Sequence, residues 1–193
     1  MSLVEVVLSA KVDPILTVAD LDLMPDDDNR YELFEGEVFV SRAPGLPHQR
    51  ILTNLLILLE LHLKEHPVAK VWPNPGVIFD NFNAAIPDIV LVSSEHIEAI
   101  ASGEKVTGAP DLVIEVVSQG AENERRDRTV KRQAYSKFGV QEYWVVDRYQ
   151  QTVEVYRLEQ TQLILVTTLE TKDQLTTPLL PDFTCQVSQV FEG

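Results

Sequence analysis

The sequence predicts a mixed α/β domain in which a long helix packs on one face of a central sheet. The 193 residues are enough to bury one core, and 45% hydrophobic and 24% charged residues are typical of a globular domain. Apolar residues recur at helical spacing from Pro47 to about Glu65. Two short runs, Ile86–Val92 and Leu112–Val117, are apolar on both faces apart from single acids, which indicates central strands covered on both sides by helices.

The other elements follow from local patterns. Residues 1–16 show no clear partner and are interpreted as a loose arm. Thr17, three positions before Asp20, predicts the cap of a short helix through Leu23. Alternation predicts a hairpin over Tyr31–Val40 that bends at Gly36. Further strands are predicted at Val68–Trp72, Gly76–Phe79, Glu142–Val146, Thr152–Arg157 and Leu163–Thr168, the last two as a terminal hairpin, and helices at Glu95–Ser102 and from about Glu122 to Phe138, ended by Gly139. No repeat or linker is visible, so residues 1–193 are interpreted as one domain.

Composition restricts where the chain works. The N-terminus lacks the basic-then-apolar pattern of a secretory signal. The longest apolar stretch, Leu55–Leu63, is too short to span a bilayer. A single cysteine, Cys185, excludes an internal disulfide and a cysteine-rich zinc site. We therefore expect a cytoplasmic protein without membrane contact.

Charge gives two opposed indications about nucleic acid. The net charge of -14 counts against it, because proteins that track phosphate backbones normally present basic surfaces. Basic residues nevertheless cluster between Arg125 and Lys137, close in sequence to Glu115. This cluster predicts a local positive patch on an acidic body.

Asp88 and Glu115 are the most informative residues, because each is an acid in an otherwise apolar strand. A carboxylate in a covered sheet is costly unless something compensates it. Two such acids on neighbouring strands repel each other and raise a pKa. A divalent cation such as Mg²⁺ resolves both difficulties, since it prefers carboxylate oxygens, waters and phosphate. The alternative is that each acid ends a strand and pairs with a basic residue.

At this point the sequence resembles a known group. An acid after proline in one strand, an acid in the next, then a helix and a strand is similar to the PD-(D/E)XK nuclease superfamily. Five segments together resemble the Uma-two family of restriction-endonuclease-like proteins, once classed as a domain of unknown function. They are Tyr31–Glu37, Pro47–Arg50, Pro87–Val90, Ala109–Ser118 and Glu142–Asp147. The resemblance extends from about Thr17 to Arg157.

The resemblance implies a restriction-endonuclease-like fold, with β-hairpins added at both ends of the chain. It implies a hydrolase that cleaves phosphodiester bonds, with DNA favoured over RNA as the partner. Asp88 and Glu115, with the carbonyl of Val116, would hold Mg²⁺ or Mn²⁺. The superfamily usually has a lysine two residues after the second acid, but Val117 occupies that position here.

Lys131 is the candidate to replace the missing lysine from the following helix. It stands in line with Asp127 and Tyr135 at i, i+4 and i+8, so the three share one face. With this assignment Asp88, Glu115 and Lys131 are the predicted catalytic residues. The alternative is that Asp127 and Lys131 form an ordinary surface pair.

Three further residues are secondary candidates. The resemblance favours Glu37 over Glu35 at the first hairpin bend, although a solvated turn acid is the alternative. His48 and Gln49 lie in the first turn of the long helix, where free backbone N–H groups favour anions. They are candidates for contact with a phosphate or a site water, and surface residues without function are the alternative.

Two other functions remain open from the sequence. The first is a binding or regulatory module that kept the nuclease fold and lost catalysis, in agreement with Val117 and the acidic composition. The second is a structural homodimer in which the acids make ordinary ion pairs. The terminal hairpin is compatible with such a dimer but does not require it.

Overall fold

A computed structural model describes residues 15–118, 120 and 126–192 of the protein, without the side chain of Arg126. The predicted loose arm and the first residues of the predicted helix from Glu122 therefore fall mostly outside the described residues. The strands are β1 (Asn29–Phe34), β2 (Glu37–Arg42), β3 (Ala69–Pro73), β4 (Val77–Asp80), β5 (Asn83–Ala85), β6 (Ile89–Ser93), β7 (Val106–Thr107), β8 (Leu112–Val116), β9 (Glu142–Asp147), β10 (Thr152–Glu159), β11 (Gln162–Leu169), β12 (Gln174–Thr176) and β13 (Thr184–Gln186). The helices are α1 (Val18–Leu21), α2 (Leu46–Glu65), α3 (Ile97–Ile100), α4 (Arg132–Phe138) and α5 (Val187–Phe191), and a π-helical segment, Arg126–Lys131, directly precedes α4.

The central sheet has six strands in the order β11-β10-β9-β8-β6-β3. Strands β8 and β9 are parallel, with Glu115 opposite Val145, and the other neighbours are antiparallel. The parallel pair requires a crossover, which the π-helical segment and α4 provide. The predicted mixed sheet and the terminal hairpin, β10 with β11, are confirmed.

Helices cover both faces of the central strands. Side chains alternate along β8, so Ile114 faces α2 while Val113 and Val117 face the opposite side. The α2 side is packed by leucines such as Leu55 and Leu59, each at most 1% exposed. On the other side lies Tyr135 of α4, fully buried. Glu115 shares the face of Val113, so the fold directs its carboxyl towards α4.

A second sheet, which the sequence analysis did not predict, has the order β2-β1-β5-β4-β7. It contains the predicted N-terminal hairpin, β1 with β2, whose turn includes Gly36 at a φ of 80°. The prediction of a single strand over Ile86–Val92 is wrong. The chain leaves the second sheet after β5 and enters the central sheet at β6, so Asp88 lies immediately before a strand. Pro87 explains the break, because proline has no N–H to donate to a ladder.

Several boundaries also differ from the prediction. Thr17 and Asp20 form the predicted capping box, but α1 ends at Leu21. The predicted Glu95–Ser102 helix is limited to α3. Gly139 ends α4 at a φ of 88°, as predicted. The β12–β13 hairpin and α5, which packs on α2, were not predicted.

Among the described residues, no helix combines the length and apolar character needed to cross a membrane.

Candidate functional site

The candidate site lies where the two sheets meet. Glu32 comes from β1 in the second sheet, Asp88 from the corner before β6, and Glu115 from β8. Two backbone N–H groups hold acids in place: Ile86 N, in this corner, donates to Glu32 Oε1 at 3.0 Å, and Val116 N, in β8, donates to Asp88 Oδ2 at 2.8 Å. The three carboxyl groups therefore occupy one buried region between the sheets.

Lys131 reaches these acids from the end of the π-helical segment. Its Nζ lies 2.9 Å from Glu115 Oε1, 3.0 Å from Glu32 Oε1 and 3.8 Å from Asp127 Oδ1. Tyr135 donates its hydroxyl to the same Glu115 oxygen at 2.8 Å. The predicted shared face of Asp127, Lys131 and Tyr135 is thus present, and it is turned towards Glu115. Lys131 is only 3% exposed, so the alternative that it forms a surface pair with Asp127 is wrong.

Asp88 is surrounded by a different set of donors. His48, in the first turn of α2, places Nε2 3.0 Å from Asp88 Oδ2. Arg30 of β1, which is half-buried, places Nη1 3.6 Å from Asp88 Oδ1. His48 is buried, so the alternative of a surface histidine is wrong. It contacts Asp88 directly, and its buried Nδ1 has no hydrogen-bond partner among the described residues.

The two central acids differ in their electrostatics. Burial raises the pKa of Glu115 to about 8, against the opposing charge of Lys131, and the neighbouring carboxylates of Asp88, Asp127 and Glu32 raise it further. Burial also acts to raise the pKa of Asp88, but His48, the Val116 amide and Lys131 outweigh it, so this pKa is lowered. The predicted repulsion that raises a pKa is therefore found at Glu115. Pairs whose environments separate their pKa values in this way are characteristic of sites that exchange protons.

Tyr135 remains a hydrogen-bond donor in this setting. It is fully buried, and burial together with the charges of Glu115 and Glu32 raises the pKa of its phenol well above the usual value. A phenol that keeps its proton can orient the Glu115 carboxyl but cannot accept a proton from it. Tyr135 is thus a positioning residue.

An open cleft of about 530 Å³ leads to the acids. The floor of the cleft is lined by Glu32, Asp88, Glu115 and Lys131. The arginines at its walls include Arg30, Arg42 and Arg148. The backbone of Val116 also lines the cleft, next to the fully buried Val117. A negatively charged ligand could therefore approach the buried acids by passing between these arginine side chains.

Two predicted secondary residues lie elsewhere. Glu37 is exposed beside the β1–β2 turn and is not among the residues that line the cleft. Glu32 takes that place, because alternation along β1 turns Glu32 inward. Gln49 lines a neighbouring groove and not the cleft. Glu32 was not predicted, because β1 also contains the polar residues Asn29 and Arg30 and is therefore not an apolar run interrupted by a single acid.

Three basic residues of the predicted positive patch are paired with acids. Lys131 is buried among carboxylates, and Lys137 pairs with Glu35 at 3.2 Å. Arg128 donates to Asp147 at 2.8 Å and to Glu154 at 3.1 Å. Arg125 lies outside the described residues. Tertiary pairing with acids thus offsets the charges of Arg128, Lys131 and Lys137.

Comparisons with known proteins identify the fold and the family. A solved structure described as a putative nuclease belonging to DUF820, from Anabaena variabilis ATCC 29413, has a TM-score of 0.73 with 21% identity, and the match covers 91% of this chain and 97% of that chain. At this identity the likeness shows the fold alone. The search of curated proteins found no match. The family model Uma2, described as "Putative restriction endonuclease", matches residues 18–188. The resemblance found from the sequence motifs is thereby confirmed, and the chain belongs to the Uma2 (Uma-two) family.

Proposed function

We propose that this protein is a metal-dependent endonuclease that hydrolyses phosphodiester bonds, with DNA as its substrate. One observation supports the proposal above the others: Asp88, Glu115 and Lys131 meet at the floor of a cleft whose walls include arginines. The family to which the chain belongs agrees with a nuclease.

The chemistry of the donors fits a hard divalent cation. Lys131 Nζ lies within 3.8 Å of carboxyl oxygens of Glu32, Glu115 and Asp127, and its charge also acts on the buried carboxyl of Asp88, so these acids outnumber the amine among them. Mg²⁺ and Mn²⁺ bind carboxylate oxygens, and Mg²⁺ often uses only one or two carboxylates together with waters and phosphate. Asp88 and Glu115, with the carbonyl of Val116, are the residues that would hold it. When bound, such a cation supplies an acidified water and stabilises charge on the phosphate.

The chain's own residues prepare the site. His48 and the Val116 amide fix the orientation of the Asp88 carboxylate. Glu115, whose pKa is about 8, holds a proton at neutral pH and would release it when its oxygens become metal ligands. Lys131, as the predicted catalytic lysine, would offset phosphate charge or position the attacking water.

Cleavage of DNA in Mg²⁺ or Mn²⁺ tests the proposal. We expect Asp88→Asn to reduce the rate by about a hundredfold or more, since even the partners of metal ligands contribute about 10–100-fold. Asp26→Asn, which removes an exposed carboxylate, is the matched control and should leave the rate unchanged. Equal background cleavage by wild type and Asp88→Asn would refute the proposal.

A second candidate function is a binding or regulatory module without catalysis. It is favoured because the acids already have partners within the protein. Lys131 and Tyr135 donate hydrogen bonds to Glu115, and His48 contacts Asp88. In the part of the chain that is described, no group of three or more histidine, cysteine, aspartate and glutamate side chains forms a ready ligand set. Calorimetry with Mn²⁺ separates the two functions: binding no tighter than about millimolar supports the inactive module.

The single domain, the cytoplasmic location and the homodimer remain proposals from the sequence. The structural homodimer would require the acids to act only as ion-pair partners. The effect of Glu115→Gln on the free energy of unfolding tests that requirement.

A further inference from the structure

A second concave surface adjoins the cleft. This groove, about 730 Å³, lies along the first turns of α2 and the turn after β9. Its apolar surface includes Leu46, Ile51 and Phe191, and its polar rim includes Arg50, Arg148 and Tyr149. Pro47 and Arg148 line both the groove and the cleft, so the two surfaces are continuous.

The groove combines exposed apolar side chains with an absence of acidic ones among the described residues that line it. Tyr149 is 47% exposed and Leu46 is 85% exposed, and neither is covered by the described residues. The guanidinium carbon of Arg148 lies 4.4 Å from the centre of the Tyr149 ring, and Arg148 also donates to the Tyr149 hydroxyl. None of the described residues that line the groove is a carboxylate. In a chain with a net charge of -14, this surface is therefore selectively free of negative charge.

We propose that the groove binds an unpaired base of the nucleic-acid strand whose backbone occupies the cleft. The inference rests on the proposed function and specifies its substrate: a nucleic acid with at least one unpaired nucleotide beside the cleaved phosphate. Tyr149 supplies a ring on which a base stacks, and the stacked Arg148 adds a cationic plane. Arg50, on the exposed side of α2, contacts the adjacent phosphate.

The chemistry of the groove fits an unpaired base better than a paired one. Every base has a flat apolar face, and stacking on aromatic side chains contributes about 1–3 kcal/mol per base without requiring a sequence. In a duplex those faces are covered by neighbouring bases. The first turn of α2 contains no acidic residue, so its free N–H groups also favour a phosphate at the junction of groove and cleft.

Binding of fluorescein-labelled oligothymidylate, measured by anisotropy in EDTA, tests the groove without cleavage. We expect the single strand to bind more tightly than a blunt duplex of the same length. Tyr149→Ala should weaken binding at least about fivefold, the lower limit of one lost stacking contact, and Tyr149→Trp should preserve it. Phe82→Ala removes a similarly exposed aromatic side chain outside the groove and should have no effect.

The dependence of binding on salt concentration separates the contribution of Arg50 from that of Tyr149. Arg50→Ala should weaken binding and reduce its salt dependence, because one phosphate contact is lost. Lys64→Ala removes one positive charge near the opposite end of α2 and is the matched control. Equal affinities for single strand and duplex, or equal effects of Tyr149→Ala and Phe82→Ala, would overturn the inference.

Cleavage assays distinguish this inference from the proposed function. If wild type cleaves DNA and Asp88→Asn does not, while Tyr149→Ala binds and cleaves like wild type, the groove is refuted and the nuclease stands. If no cleavage occurs in Mn²⁺ but single-strand binding depends on Tyr149, the nuclease is refuted and the groove stands as a binding surface.

Discussion

Replacing Glu115 by glutamine removes a buried ionisable group and largely preserves the size of the side chain. Glu115 is 4% exposed, and its pKa in the folded protein is raised from 4.5 to about 8. Burial is the main cause, and the charges of Asp88, Asp127 and Glu32 add to it against the opposing effect of Lys131. An ionised Glu115 therefore destabilises the metal-free fold, although it has an amine beside it.

The sign of the pH dependence follows from this difference. Between pH 4.5 and about 8, the folded protein holds a proton on Glu115 that the unfolded chain has released. The corresponding stability is fully present below 4.5 and is lost as the pH rises through about 8. At about 1.4 kcal/mol per pH unit, the free energy of unfolding falls by up to about 5 kcal/mol over this window. Glu115→Gln does not titrate, so it should lack this loss and exceed wild type in stability at about pH 9.

Urea unfolding in EDTA at about pH 5 and about pH 9 measures the effect as a difference of free energies between variant and wild type. Glu60→Gln, at an exposed position of α2, is the control and should show the same small difference at both values. If Glu115→Gln destabilises the protein equally at both values, the interaction with Lys131 outweighs the desolvation of Glu115. The acid would then be an ordinary structural ion-pair partner, as in the structural homodimer considered from the sequence.

Two other predictions concern buried groups. Lys131→Met should reduce the free energy of unfolding at neutral pH by about 3–5 kcal/mol, because it leaves buried carboxylates uncompensated. Lys137→Met removes only an exposed ion pair and should change the free energy of unfolding little. Similar losses for the two variants in urea unfolding would contradict this account. Burial raises the pKa of Cys185 to about 11, so a disulfide reagent at about pH 8 should modify it in urea but hardly at all in the native protein, and rapid native reaction would show that the thiol is accessible.

Much of the fold was predictable because it depends on local patterns. The helical spacing of α2, its proline near the start and the alternation of the hairpins each report which side of an element is buried. The acids at Asp88 and Glu115 were identifiable for the same reason, since a charged residue in an apolar strand requires compensation. The Uma2 motifs added the expected order of elements, and the observed mixed sheet agrees with it.

The second sheet was not predictable by the same means. Periodicity shows that a face is buried but does not show what covers it. Leu33 of β1 pairs with Ala84 of β5, far along the chain, so neither segment alone indicates the pairing. Glu32 was overlooked for this reason, because its role depends on β1 crossing beside the corner at Pro87.

The meeting of Glu115 and Lys131 illustrates the division between sequence and tertiary structure. The sequence by itself determined that two acids lie in apolar segments, that Val117 stands two residues after Glu115, and that Lys131 shares a helix face with Tyr135. Only the tertiary structure decided that this face turns towards Glu115, at 2.9 Å from Lys131 and 2.8 Å from Tyr135. The reason is physical: a buried charge is stable only beside its partners, and packing of the whole chain decides which partners are near.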